Sequence, residues 1–153
     1  MRVPIYARRA LCAAVAALAV VVAAGCSNGG TKLDFTVAAI ATDSGTRDTS
    51  ATVDPDGIAT AWAEVDDSDR PSVPDGQVEV LVSANYQLWA PVVSEVRAGS
   101  DTWTVHVSAY DLEGEGCTVP AVVFAVTYLL HVTADTPPDT ITTTTDMKHG
   151  CGD

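Results

Sequence analysis

Between residues 33 and 146 the dominant hydrophobic period is two. Leu33, Phe35, Val37, Ala39 and Ala41 alternate with Asp34, Thr36, Ala38, Ile40 and Thr42, the pattern of a strand with one apolar face. Residues 77–85 repeat it, with Val78, Val80, Val82 and Ala84 on one side and Gln77, Glu79, Ser83 and Asn85 on the other; Leu81 breaks the alternation. A shorter strand over 92–97 turns at 98–101. The cleanest alternation follows, Trp103, Val105, Val107 and Ala109 against Thr102, Thr104, His106, Ser108 and Tyr110. Residues 119–133 are the most apolar stretch. A helix starting at Pro120 is the rival reading there, and the branched Val and Thr side chains favour a strand. Residues 49–53 and 58–64 flank Asp54-Pro55-Asp56-Gly57, whose turn chemistry predicts a hairpin with Trp62 as its core anchor and Ala59, Ala61 and Ala63 on the other face. The acid- and proline-rich residues 66–76 read as a surface loop, 111–116 and 135–139 as turns, and the Thr-rich 141–146 as a polar edge strand.

About seven to eight short strands with turn signals at sandwich spacing, and no convincing amphipathic helix, predict an all-β fold. The expected architecture is an antiparallel β-sandwich, similar to immunoglobulin-like and fibronectin-like domains; a small closed β-barrel is the alternative. The likeness is one of architecture, because Cys117 and Cys151 do not have the spacing of an inter-sheet immunoglobulin pair around a core Trp.

The first residues follow different rules. Met1 to Ala10 carry Arg2, Arg8 and Arg9 and no acid, and an uninterrupted apolar run then extends from Leu11 to Ala24. Fourteen residues fall short of the roughly 20 needed to span a bilayer and suit the apolar core of an export signal. Ala23-Ala24-Gly25-Cys26 follows. With this lipobox after an Arg-bearing start, the chain resembles bacterial lipoprotein precursors over residues 1–26, with Ala23 where the commonest pattern has Leu. The resemblance implies recognition of Ala23, Ala24 and Gly25 by the lipoprotein signal peptidase, cleavage before Cys26, diacylglycerol on its thiol and acylation of the new amine. An ordinary secretory signal and a retained membrane anchor are the competing readings. A two-chain lipid anchors firmly, at about 0.8 kcal/mol per buried CH₂. The expected organisation is a signal peptide over 1–25, a lipidated tether over 26–32 and one sandwich domain over 33–153. The tether reaches at most about 20 Å, which places the domain close to the outer face of the cell membrane.

Removing the signal changes the charge. The whole chain has 8 Lys+Arg against 20 Asp+Glu. Three of the basic residues are in the signal, so five against twenty remain, a net charge of −15. Nucleic acid is excluded as a partner, since no basic stripe is present to neutralise phosphates. The cysteine count changes as well. Cys12 leaves with the signal and lipid takes Cys26, which leaves Cys117 and Cys151 as the expected disulfide in an oxidising compartment. Two free thiols, or a metal pair with a histidine, are the competing readings. Closing that 35-residue loop is worth about 3.8 kcal/mol in the chain-entropy treatment. A hairpin between 119–133 and 140–146 would set Cys151 roughly 20 Å from Cys117, so the ladder is expected to stop early.

The material for catalysis is thin. The chain has no HExxH, P-loop, G-x-G-x-x-G or CxxC pattern, and His106, His131 and His149 read as strand and tail residues. No catalytic residue, cofactor or metal ligand is expected. Asp66, Asp67 and Asp69 are the nearest thing to a calcium cluster, and a solvated loop is the simpler reading; Asp54, Asp56, Gly57 and Glu64 miss calcium-loop spacing. Trp62 and Trp103 fit core positions. Tyr86, Leu88 and Trp89, ahead of Pro91, form a possible exposed recognition patch, with a loop folded onto the core as the bland alternative.

The expected protein is a membrane-anchored, non-catalytic envelope lipoprotein whose sandwich has a binding or structural role. Its partners would be membrane lipid through acylated Cys26 and an envelope protein or glycan. A small hydrolase or ligand-carrying lipoprotein is the alternative. In composition, rich in Ala, Val, Thr and Asp and poor in Lys, the chain resembles actinobacterial lipoproteins.

Overall fold

The computed structural model describes residues 30–66, 68–112 and 116–150. Among these described residues eight strands and one helix follow one another: β1 (Thr31–Leu33), β2 (Phe35–Ser44), β3 (Ser50–Thr52), α1 (Pro55–Val65), β4 (Gln77–Tyr86), β5 (Val92–Ala98), β6 (Thr102–Asp111), β7 (Phe124–Thr133) and β8 (Thr140–His149). They form two four-stranded sheets, ordered β1-β5-β6-β8 and β2-β7-β4-β3. The fold is an all-β sandwich, and neither sheet closes into a barrel.

The inter-sheet core is made by the strands whose alternation is cleanest. Val80, Val82, Ala84, Val126, Tyr128, Leu130 and Val132 of the second sheet meet Val93, Val96, Trp103, Val105 and Val107 of the first. Val80, Val96, Val105, Leu130 and Val132 are fully enclosed. Each such side chain contributes about 1.5–3 kcal/mol relative to exposure.

Of the expected hairpin over 49–64, the first arm is a strand, β3, which pairs with β4, and the turn and second arm are the helix α1. Asp54 is the N-cap; its carboxylate accepts the Gly57 N–H at 2.9 Å. Pro55 starts the helix, where its missing N–H costs nothing. Ile58 and Trp62, one turn apart, bury one stripe, and the alanines between them favour helix over strand. The residues that read as turn chemistry are therefore helix-start chemistry.

This helix covers the outer face of the second sheet and creates a second core of Ala41, Ile58, Trp62, Leu81 and Leu129. It accounts for Leu81: the residue that breaks the alternation of β4 points at α1. The helix also explains why β4 and β7 are buried on both faces, which gives a continuous apolar run.

The apolar face read for the first strand is divided between the two cores. Leu33 belongs to β1, in the other sheet. A bulge between Val37 and Ala39 shifts the register of β2 on β7. Before it, Phe35 lies opposite Val132 and packs on the inter-sheet core; after it, Ala39 and Ala41 lie opposite Leu129 and Thr127 and join the helix core. Val37 and Ile40 are left exposed at the sheet edge.

The most apolar stretch becomes strand only from Phe124, and 119–123 form a loop. β8 is an edge strand, as its Thr-rich sequence predicts, but it does not pair with β7. It runs parallel to β6, with Thr102 opposite Thr140 and Asp111 opposite His149. The 134–139 turn carries the chain across to the first sheet, where Asp139 and Thr140 donate to the Asp101 carbonyl at 3.0 and 3.2 Å. The sandwich is therefore not purely antiparallel.

Candidate functional site

The two ends of the sandwich differ. At one end the described chain enters. Gly30 lies against the β5–β6 turn, and a Cβ there would sit 1.9 Å from the Ala98 carbonyl oxygen, so only glycine fits. Arg97 holds this entry by donating to the Gly30 carbonyl at 3.2 Å.

At the other end the sheets part. The strand ends and the 119–123 loop leave an open cleft of about 800 Å³ between them. Tyr86 closes its floor from β4, stacked on Phe124 at 5.6 Å between ring centroids. Tyr110, Asp111 and Leu112 enter from the end of β6, Met147 from β8, and Val119 and Val123 from the loop. Met147 pairs in register with Ala109, but it lies past the packed core and stays 53% exposed; Val119 is 39% exposed.

The polar groups around the cleft are largely engaged within the protein. Asn85 bonds the main chain of Arg47 at both ends of its amide: its Oδ1 accepts the Arg47 N–H at 2.7 Å, and its Nδ2 donates to the Arg47 carbonyl. Gln87 donates to the Pro120 carbonyl at 3.5 Å, tying the 87–91 loop to the 119–123 loop. Tyr128 donates to the Pro91 carbonyl from below. Asp111 lies 3.6 Å from His149 at the rim.

Of the expected recognition patch, only Tyr86 lines the cleft. Leu88 is half-buried, and Trp89 is 48% exposed on the adjoining loop. Tyr110, Val119, Val123 and Met147 were not singled out by the sequence pattern. Met147 carried one signal, an isolated apolar residue between Asp146 and Lys148, just past the strand read as polar over 141–146.

The histidines each sit beside a carboxylate. His106 is 3.3 Å from Asp146 on the outer face of the first sheet, and the exposed His149 is 3.6 Å from Asp111. His131 differs from the strand-surface reading. It is buried on the helix side of the second sheet, 3.9 Å from the equally buried Glu79, which also meets Arg70 at 3.6 Å.

The acidic loop is partly committed. Asp66 caps the end of α1, and its Oδ1 accepts the Ser68 N–H at 2.8 Å. That bond, with a second from the Ser68 side chain, holds the Asp66 carboxyl below its ordinary value. Asp69 and Arg70 line a shallow hollow beside Trp62. Among the described residues no three potential metal ligands come together. Asp67 lies outside the described residues, as do Ala23, Ala24, Gly25, Cys26 and Cys151. Cys117 is half-buried in the loop that leads to β7.

Four of the five basic residues among the described residues face carboxylates. Lys32 and Arg97 both face Glu95, Arg47 pairs with Asp43 at 2.9 Å and reaches Glu64 at 3.7 Å, and Arg70 meets Glu79. The fifth, Lys148, lies on β8 opposite Tyr110, beside the cleft. Among the described residues no helix is long and apolar enough to cross a membrane. No family model, no curated protein and no solved structure matches this chain.

Proposed function

We propose that this chain is an exported lipoprotein, held at the outer face of the cell membrane by acylated Cys26, and that its sandwich is a non-catalytic binding module acting through the cleft at its open end. The observation that carries the reading is the placement of the two ends. Gly30, the first described residue after the lipobox, lies at the β5–β6 turn, and the cleft lies at the far end of β6. Ten residues of β6 separate them, roughly 30 Å at strand rise. An anchor at one end and an open, partly apolar cleft at the other is the arrangement of a tethered receptor.

The hydrolase alternative has one observation in its favour, the His149–Asp111 pair beside the cleft. His149 is largely exposed, so water screens that pair, and among the hydrogen bonds and ion pairs of the described residues neither links His149 to a hydroxyl or thiol. The binding reading is therefore preferred.

The anchor is tested with Cys26→Ser in the native host. The variant should lose fatty-acid label and leave the membrane fraction. Retention in membranes with the first 25 residues still attached would overturn the lipoprotein reading.

A further inference from the structure

We infer that residues 30–33 are a releasable strap, latched to β5 by Arg97 and hinged at Asp34, whose opening lengthens the chain between the domain and its anchor. It goes beyond the binding reading just given. The opening itself does not rest on the lipid anchor, whereas what it does at a membrane does.

The hold on this segment is small and local. β1 has three residues and stands at the edge of its sheet, paired with β5 on one side. Its ladder sets Thr31 opposite Ala98, Lys32 opposite Arg97 and Leu33 opposite Val96. Thr31 and Lys32 are exposed, and Leu33 is half-buried against the inter-sheet core. A short ladder, open to water along one edge and backed by one apolar contact, opens ahead of the rest of a domain. The next residue is fixed differently. The Asp34 carbonyl accepts the Thr133 N–H at 2.8 Å, in the other sheet. Opening therefore stops at Asp34 and leaves β2 in place.

A side-chain fork supplies the rest of the hold. Arg97 donates from Nε to Glu95 Oε2 at 2.7 Å and from Nη2 to Oε1 at 3.0 Å. With the guanidinium oriented by this double bond, its Nη1 donates to the Gly30 carbonyl at 3.2 Å. Glu95 is thus a positioning residue, which aims the group that grips the strap. Lys32, 3.9 Å from Glu95 and exposed, adds little, because water screens the pair. Gly30 completes the latch, since a Cβ there would sit 1.9 Å from the Ala98 carbonyl oxygen. The closed state needs both the fork at 97 and the missing side chain at 30.

The latch also has a pH range. The Arg97 hydrogen bonds hold the Glu95 carboxyl below its ordinary value; burial opposes this, and the charges of Arg97 on β5, Lys32 on β1 and His106 on β6 add to it. His106 lies in turn 3.3 Å from Asp146 of β8. A carboxylate stabilised in this way keeps the latch shut through neutral and mildly acid pH, and the hold is lost as pH falls through the lowered folded-state value. Once released, residues 30–33 add four residues of free chain, about 14 Å at full extension. With the lipid on Cys26, the closed strap keeps the domain close to the membrane and the open strap extends its reach.

The test is amide hydrogen exchange at neutral pH on the processed chain purified from membranes in detergent. The ladder-bonded amides of residues 31–33 should exchange at least a hundredfold faster than those of Val80 and Leu130, which are fully enclosed. Arg97→Gln and Gly30→Ala should each speed the strap at least tenfold further and leave the two core amides unchanged. Arg97→Lys keeps the charge without the fork and should match Arg97→Gln; wild-type exchange in that variant would overturn the latch. A strap that exchanges no faster than the core, or variants that speed strap and core alike, would show that β1 opens only with the whole domain, and that overturns the strap. Glu95→Gln should resemble Arg97→Gln at neutral pH. Taking the wild type below the carboxylate range should open its strap, after correction for intrinsic exchange, and should change Glu95→Gln little. The anchor is read separately, by fatty-acid label on Cys26, so its failure leaves the exchange results standing.

Discussion

Glu79 and His131 face each other across β4 and β7, buried on the helix side of the sheet with Oε1 and Nε2 3.9 Å apart. Arg70 reaches the other carboxylate oxygen at 3.6 Å and pins the 66–76 loop to the sheet. A buried carboxylate matched by a guanidinium is costly to disturb from one side only. Glu79→Ala leaves Arg70 and His131 without their shared partner and should destabilise the domain by about 3 kcal/mol. Replacing Glu79 and His131 together by leucine removes both polar groups and should cost much less, because apolar neighbours, Leu81 and Leu129, already lie alongside. Urea unfolding of Glu79→Leu, His131→Leu and the double variant gives the coupling energy. Additive losses would show that the pair is not a unit.

Tyr128 gives the domain an alkaline limit. Burial pushes its phenol above the ordinary value of 10.0, and the nearby Tyr86 pushes it the same way. The protonated phenol is the form the folded state prefers. Its contribution is complete below the ordinary value and is lost as pH rises through the higher folded-state value. Ionisation of Tyr128 should therefore be displaced to higher pH and should coincide with unfolding. Tyr128→Phe removes the donor to the Pro91 carbonyl, costs about 1 kcal/mol near neutral pH, and flattens the alkaline loss. Unfolding followed by tyrosinate absorbance checks both effects.

The helix rests on a few residues. Asp54→Ala removes the cap at the Gly57 N–H and should cost about 1 kcal/mol. Trp62→Ala empties the centre of the second core and should cost about 3–5 kcal/mol. Thermal unfolding monitored by circular dichroism measures both. If Trp62→Ala were tolerated at under about 1 kcal/mol, the helix would be an ornament on the sheet rather than its cover.

That second core marks where the sequence stops being legible. Period-two patterning identifies a strand buried on one face, and β6 obeys it: Trp103, Val105 and Val107 are all core. It fails where a strand is buried on both faces, so Leu81 looked like an error in β4 when it was the contact with α1. Asp54-Pro55-Asp56-Gly57 was ambiguous because Asp and Pro serve turns and helix starts alike; the deciding signal was the one-turn spacing of Ile58 and Trp62. The bulge at Val37 and Ala39 leaves no trace in composition. The cleft was harder still. Tyr86 was readable as part of an aromatic run, but Met147, Val119 and Tyr110 come together only through the parallel pairing of β8 with β6 and the loop ahead of β7.

That parallel pairing also bears on Cys117 and Cys151. An antiparallel β7–β8 hairpin would have held the two cysteines roughly 20 Å apart, and that hairpin does not form. β6 and β8 instead run the same way and end side by side, Asp111 opposite His149. Neighbouring strands lie about 4.8 Å apart. Cys151 is two residues beyond His149, and Cys117 is six beyond Asp111, within a span of about 20 Å even if fully extended. Gly116 turns the chain with φ of 69°, in the left-handed region that suits glycine, just before Cys117. The two segments therefore start from the same edge of the same sheet, and closing a 35-residue loop there adds about 3.8 kcal/mol. Exported protein, alkylated while unfolded and unreduced, should carry no label on Cys117 or Cys151 and should gain two labels after reduction. Two labels without reductant would refute the bridge. Cys117→Ser and Cys151→Ser should each lower stability by a similar amount, and the double variant by no more than either. Unequal losses would mean that the cysteines act separately.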